Sequence, residues 1–75
     1  AYIYPRELLK RVLYHNAASV IIAHNHPSGF SNPSEEDWRI TRKIKSSLEM
    51  IQAQLLDHVI IGENSTFSFK EKGLL

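Results

Sequence analysis

Residues 19–37 read SVIIAHNHPSGFSNPSEED: a β-branched apolar segment, two histidines one residue apart, a loop with two prolines and a glycine, then a serine followed by three acids. Residues 19–23 are apolar at successive positions after Ser19, a pattern that fits a short strand covered on both faces. Ser34 with Asp37 three residues later matches a capping box, and Glu35, Glu36 and Asp37 place negative charge in a first helical turn. The stretch therefore reads as strand, loop and helix, with His24 and His26 at the C-terminal end of the strand.

The flanking sequence extends this pattern. Pro5 suits a first helical position, and Leu8, Leu9, Val12 and Leu13 recur on one face while Arg6, Lys10 and Arg11 take the other. A helix over residues 5–15 follows, with Asn16 as its stop. Downstream, Ile40, Ile44, Leu48 and Ile51 share one stripe of a helix over residues 35–51, whose other face carries Arg39, Arg42, Lys43 and Lys45. LLDHVII (residues 55–61) reads as a second strand, GENS (62–65) as a tight connection, and TFSF (66–69) as a third strand paired with the second in a hairpin. Helix, strand, helix, strand, strand is an α/β arrangement with a mixed sheet.

Composition limits the function classes. Seventy-five residues make one small domain, or part of one, with a thin core. Cysteine is absent, so disulfides and cysteine zinc sites are excluded, any metal must be held by His, Asp or Glu, and a cytoplasmic location is the expectation. The longest apolar run is far too short to cross a bilayer, and no signal-peptide pattern is present, so the chain reads as soluble with no membrane partner. A net charge of +1 gives no strong field for nucleic acid.

Residues two apart in an extended segment project to the same side, about 6.6 Å apart at ~3.3 Å per residue, and two imidazoles so placed converge on one ion at ~2.0–2.1 Å. A catalytic zinc needs three protein ligands and one open position. Asp37, brought back by the proline-braced loop, is well placed as the third ligand, and Ser34 is placed to face the ion's water or a developing oxyanion. Each part has a plainer reading: a surface histidine pair, a helix cap at Ser34 and Asp37, a structural His58 beside Asp57, core or loop packing for Trp38 and the phenylalanines, and a solvated basic helix face. His58 is the only rival third ligand. None of the plainer readings explains why the features sit together.

Taken as one pattern, H-N-H-P, six further residues and S-x-x-D resemble the JAMM motif of the JAB/MPN superfamily of zinc metallopeptidases, position for position. AHNHPSG, NPSEED and LLDHVIIG are closer still to the RadC-like branch, historically labelled a DNA repair protein, and the resemblance covers nearly the whole chain. It implies zinc as cofactor, His24, His26 and Asp37 as its ligands, and Ser34 as a catalytic residue that assists the bound water or the tetrahedral intermediate. The implied fold is a deaminase-like α/β/α sandwich, and the implied reaction is hydrolysis of a peptide or isopeptide bond. The superfamily's general base is a glutamate on a strand upstream of the first helix. Glu7, the only glutamate before His24, falls in the first helical turn instead, and the role is not transferred to it. Residues 1–75 are thus expected to be the C-terminal fragment of a single domain, without its N-terminal strands, inactive alone and prone to self-association through strand edges. The alternatives are a DNA-repair-associated nucleic-acid-binding module, suggested by the basic face of the second helix, and a non-catalytic metal-binding interaction domain.

Overall fold

A computed structural model describes residues 3–27 and 29–75, and its elements follow the predicted order of helix, strand, helix, strand, strand. Helix α1 is Pro5–Tyr14, with proline at its start, where a missing N–H costs nothing, Glu7 in the first turn and Arg11 in the last. It stops at Asn16, whose φ of 53° is left-handed, and the Ala17 N–H closes onto the Val12 carbonyl at 2.9 Å. Helix α2, Glu35–Met50, starts on the complete capping box formed by Ser34 and Asp37. Its end repeats the first helix's device, with Gln52 at φ 59° and the Ala53 N–H on the Leu48 carbonyl at 2.8 Å.

Strands β1 (Ser19–Asn25), β2 (Gln54–Ile61) and β3 (Thr66–Ser68) form a sheet in the order β1-β2-β3. β1 and β2 run parallel across the α2 connection, and β3 returns antiparallel to β2, so the sheet is mixed, consistent with part of an α/β/α sandwich. β1 is two residues longer than the sequence pattern suggests and carries His24 within it. The parallel register shifts after Val20, which faces Leu55 while Ile21 faces Asp57; beyond the shift Ile22 lies beside His58 and His24 beside Ile60.

Val12 of α1, Ile44 and Leu48 of α2, Ile22 of β1 and Leu55 of β2 share one buried cluster with Ala53. Both helices therefore cover the same face of the sheet. The expectation that β1 is covered on both faces is not met, because Ile22 is buried whereas its neighbour Ile21 is 63% exposed and Ala23 is also exposed. Unbroken apolarity in sequence marks a strand able to sit between two layers, and among the described residues only one layer is present. No helix among these residues is long and apolar enough to cross a membrane.

The loop after β1 is held by backbone contacts. The Gly29 N–H donates to the His26 carbonyl at 3.0 Å, and Gly29 adopts φ +85°, a region that suits glycine. Its carbonyl accepts from the Glu63 N–H at 2.7 Å, and the Ser31 and Ser65 hydroxyls meet at 2.7 Å. Gly62 lies so close that a Cβ there would stand 2.7 Å from the Gly29 carbonyl oxygen and 2.8 Å from the Ser31 nitrogen. Because backbone rather than a flexible side-chain tip is in the way, Gly62→Ala is expected to destabilise the fold by about 1–3 kcal/mol. Urea unfolding of the two proteins side by side measures this, and an unchanged midpoint would show that the loop is not pressed against the β2–β3 turn.

Candidate metal centre

β1 presents His24 on its helix-facing side. His26 follows just beyond the strand, its N–H donating to the Ile61 carbonyl at 3.2 Å, and the first turn of α2 brings Asp37 to the same place. Each of the three offers a ligand atom, and these atoms lie within 4.8 Å of one another. His24 Nε2 is 3.4 Å from Asp37 Oδ1, and His26 Nε2 is 2.8 Å from Asp37 Oδ2. Ligand atoms about 2.0–2.1 Å from a tetrahedral ion stand roughly 3.3–3.4 Å apart, so the His24 and Asp37 atoms already have metal-ligand spacing. The shorter His26 contact has the spacing of a hydrogen-bonded pair.

The surrounding acceptors decide which ring nitrogens carry protons. His26 Nδ1 lies 2.9 Å from the Phe30 carbonyl, which can only accept, so Nδ1 donates there; Nε2 donates to Asp37 Oδ2 while it carries a proton and offers its lone pair to an ion once that proton is lost. The Thr41 hydroxyl donates to the Asp37 main-chain carbonyl at 2.6 Å, one helical turn back. With that proton committed, His58 Nδ1 must donate to Thr41 Oγ1, 2.6 Å away. His58 Nε2 is then an acceptor, and it takes a proton from His24 Nδ1 at 3.0 Å. His24 is left with a bare Nε2. Once the His26 Nε2 proton is lost, two imidazole lone pairs and a carboxylate oxygen converge, an arrangement that only a cation, whether a proton or a metal ion, makes favourable. The donor set fits a zinc-type ion held by two nitrogens and one oxygen.

The carboxylate is arranged for this geometry. Its Oδ2 accepts the Ser34 N–H at 2.8 Å as well as meeting His26, which leaves Oδ1 to face His24. Burial alone raises the Asp37 carboxyl, but the backbone and side-chain hydrogen bonds of Ser34, the bond from His26 and the nearby His24 together hold it below its ordinary value. Burial lowers the pKa of His24, opposed by Asp37 and reinforced by His26. His58, wholly buried, is pushed down to about 4, first by burial and then by His24, with Asp37 and Asp57 opposing.

The candidate ligands His24, His26 and Asp37 thus lie together, and Ser34 adjoins them. Ser34 is exposed, and its hydroxyl oxygen accepts the Asp37 N–H at 3.1 Å. His58, the rival ligand, stands behind His24 with both ring nitrogens engaged. Asp57 accepts the His58 and Lys70 main-chain N–H groups at 2.7 and 2.9 Å. Glu7 lies on α1 and faces Lys10 at 3.7 Å. Thr41 was not singled out by the apolar periodicity because it is polar, although its place four residues after Asp37 on the same helix was a legible signal.

The chain matches the family model of the RadC-like JAB domain over residues 1–74. A UPF0758 protein of Coxiella burnetii is 53% identical over 75 residues, covering 100% of this chain and 34% of the relative. One from Nitrosomonas eutropha is 52% identical over the same length, again 34% of the relative. Another, from Vibrio atlanticus, is 49% identical over 73 residues, 97% of this chain and 33% of the relative. The chain spans about a third of the length of the curated relatives it matches.

The lowered His58 pKa has a stability consequence in the metal-free protein. Between pH 6.5 and about 4 the unfolded chain protonates this residue and the native state does not, so stability rises with pH across that window and is lost on acidification. His24 acts in the same direction, whereas Asp37 and Asp57, both held low, contribute stability that is lost only as pH falls through their folded values, below 3.8. Urea unfolding at about pH 7 and about pH 4.5 should show a smaller loss in His58→Phe than in wild type. Equal losses in the two proteins would remove His58 as the source.

Proposed function

The chain belongs to the RadC-like JAB family, and on that footing we propose that it carries the metal centre of a zinc-dependent hydrolase acting on peptide or isopeptide bonds. The observation that supports this most directly is the convergence of His24 Nε2 and His26 Nε2 on the Asp37 carboxylate, with the other nitrogen of each ring and the Ser34 N–H holding the three in place. Zinc bound there supplies a Lewis acid and a water with its pKa lowered to about 7. His24, His26 and Asp37 would hold the ion, and as three protein ligands they would leave room for a water beside it. The Phe30 carbonyl and His58 keep both rings in the ligating tautomer. To Ser34, whose Oγ accepts the Asp37 N–H beside the cluster, the proposal assigns support of the bound water or of the tetrahedral intermediate. The proton shuttle is assigned to a glutamate outside these 75 residues, since Glu7 sits in an ion pair on α1 rather than on a strand. Self-association belongs to the same proposal, through the sheet face around the exposed Ile21 and the edge of β1 that is unpaired among the described residues.

Elemental analysis of protein purified without chelator should give about one zinc per chain, consistent with a single three-ligand site. His24→Ala, His26→Ala and Asp37→Ala should each lose it. Stoichiometric zinc in all three variants would refute the ligand assignment, and loss in His58→Ala alone would transfer the third position to His58.

Ser34 separates into two measurable parts. Ser34→Ala should cost about 1 kcal/mol of stability through the lost cap, and Ser34→Asp should restore most of it. In a hydrolysing full-length protein, Ser34→Asp should nevertheless remain impaired in kcat. Wild-type turnover by that variant would leave Ser34 as a cap only.

A further inference from the structure

We propose that His58 is a positioning residue for this metal centre, fixing His24 with its proton on Nδ1 and its Nε2 lone pair aimed at Asp37. The inference rests on the reading of His24, His26 and Asp37 as metal ligands, and it assigns His58 and Thr41 a role in setting that site's affinity.

The contacts form a closed circuit. Asp37 is met at both its ends: its main-chain carbonyl takes the Thr41 hydroxyl, and its carboxylate faces His24 Nε2 at 3.4 Å. Between these two points run Thr41 and His58, each donating on one side and accepting on the other, and His24, which donates through Nδ1 and turns an unprotonated Nε2 toward Asp37. Direction is set at the carbonyl, which has no proton to give, and it propagates through three hydrogen bonds to the far nitrogen of His24. Only a neutral imidazole accepts at Nε2 while donating at Nδ1 in this slot. The register makes the contact unavoidable: Ile22 of β1 lies beside His58, so His24, two residues on along the same face, is its diagonal neighbour.

The His58 ring has little freedom to turn. It stacks on Phe69, with centroids 5.0 Å apart and planes 7° from parallel, and Trp38 and Phe67 meet Phe69 edge-on at 5.4 Å. Phe69 is itself placed by Asp57, which accepts from the Ser68 hydroxyl and the Lys70 N–H on either side of it. A histidine that merely filled the core would need satisfied nitrogens, but it would not need one of them to end on a ligand. Here the chain of donors ends on His24, which also ties the position of that ring to the first turns of α2, where Asp37 lies.

The test compares wild type, His58→Phe, His58→Gln and Thr41→Val. Ring 15N shifts, recorded without metal at about pH 7, report the His24 tautomer, and competition with a chromophoric chelator measures zinc affinity. Wild type should show His24 protonated on Nδ1 alone. His58→Phe keeps the stacking surface but has no acceptor. It should give a mixed His24 tautomer and bind zinc about 10–100-fold more weakly. His58→Gln, whose amide oxygen reaches the place of Nε2, should recover most of both. Thr41→Val should weaken zinc in the same direction and serves in place of His58→Phe if that variant does not fold. A folded His58→Phe or Thr41→Val with wild-type tautomer and wild-type zinc affinity overturns the proposal while leaving the ligand set standing. If wild type itself binds no zinc, the ligand reading fails, and the tautomer comparison alone then decides whether His58 positions His24.

Discussion

An aspartate that is 8% exposed at the start of a helix has to have its carboxylate satisfied from every side, and the site is built around the way Asp37 meets that demand. Its Oδ2 accepts the Ser34 N–H and meets His26, its Oδ1 faces His24, and its main-chain carbonyl takes the Thr41 hydroxyl. One residue thereby caps α2, orients the histidines of β1 and its following loop, and anchors the donors that reach back from β2. The helix cap and the candidate metal centre are not alternatives, since the same oxygen that completes the capping box leaves its twin turned toward His24.

The inward stripe of α2 follows from this. Its buried positions are Asp37, Thr41, Ile44 and Leu48, spaced as one helical face, polar in the first two turns and apolar in the last two. The apolar half packs with α1 and the sheet, and the polar half closes over His24 and His58. Burying Thr41 and His58 without loss requires that every polar atom be partnered, and among the described residues no buried side-chain nitrogen or oxygen lacks a hydrogen bond. The polar network therefore continues the core toward His24 and Asp37.

Membership in the RadC-like JAB family agrees with the sheet as found, with the helices on one side and Ile21 and Ala23 open on the other. The relatives are about three times as long as this chain, and the activity proposed is that of such a longer protein. What residues 3–27 and 29–75 contain in themselves is the candidate cluster of His24, His26 and Asp37 and the groups that contact it.

Much of this was legible in the sequence because the deciding forces act over a few residues. Proline at a helix start, the Ser34–Asp37 box, the stripe from Ile40 to Ile51 and the two-residue spacing of His24 and His26 are local rules, and the element order and the candidate ligands follow from them. The structure brings those ligands together as that spacing implies. Three things were not legible. Coverage of the SVIIA strand depends on which layers lie against it. The fit of the loop depends on Gly62 meeting the backbone of Gly29 and Ser31, more than thirty residues away in the chain. The place of His58, read as structural or as a rival ligand, depends on the parallel register of β1 and β2, which sets it diagonal to His24 across 34 residues of sequence. Propensity and capping choose each element by itself, whereas hydrogen-bond partners between elements exist only once packing has set the register, and that is why tertiary structure alone put His58 behind His24 rather than in the cluster with His26 and Asp37.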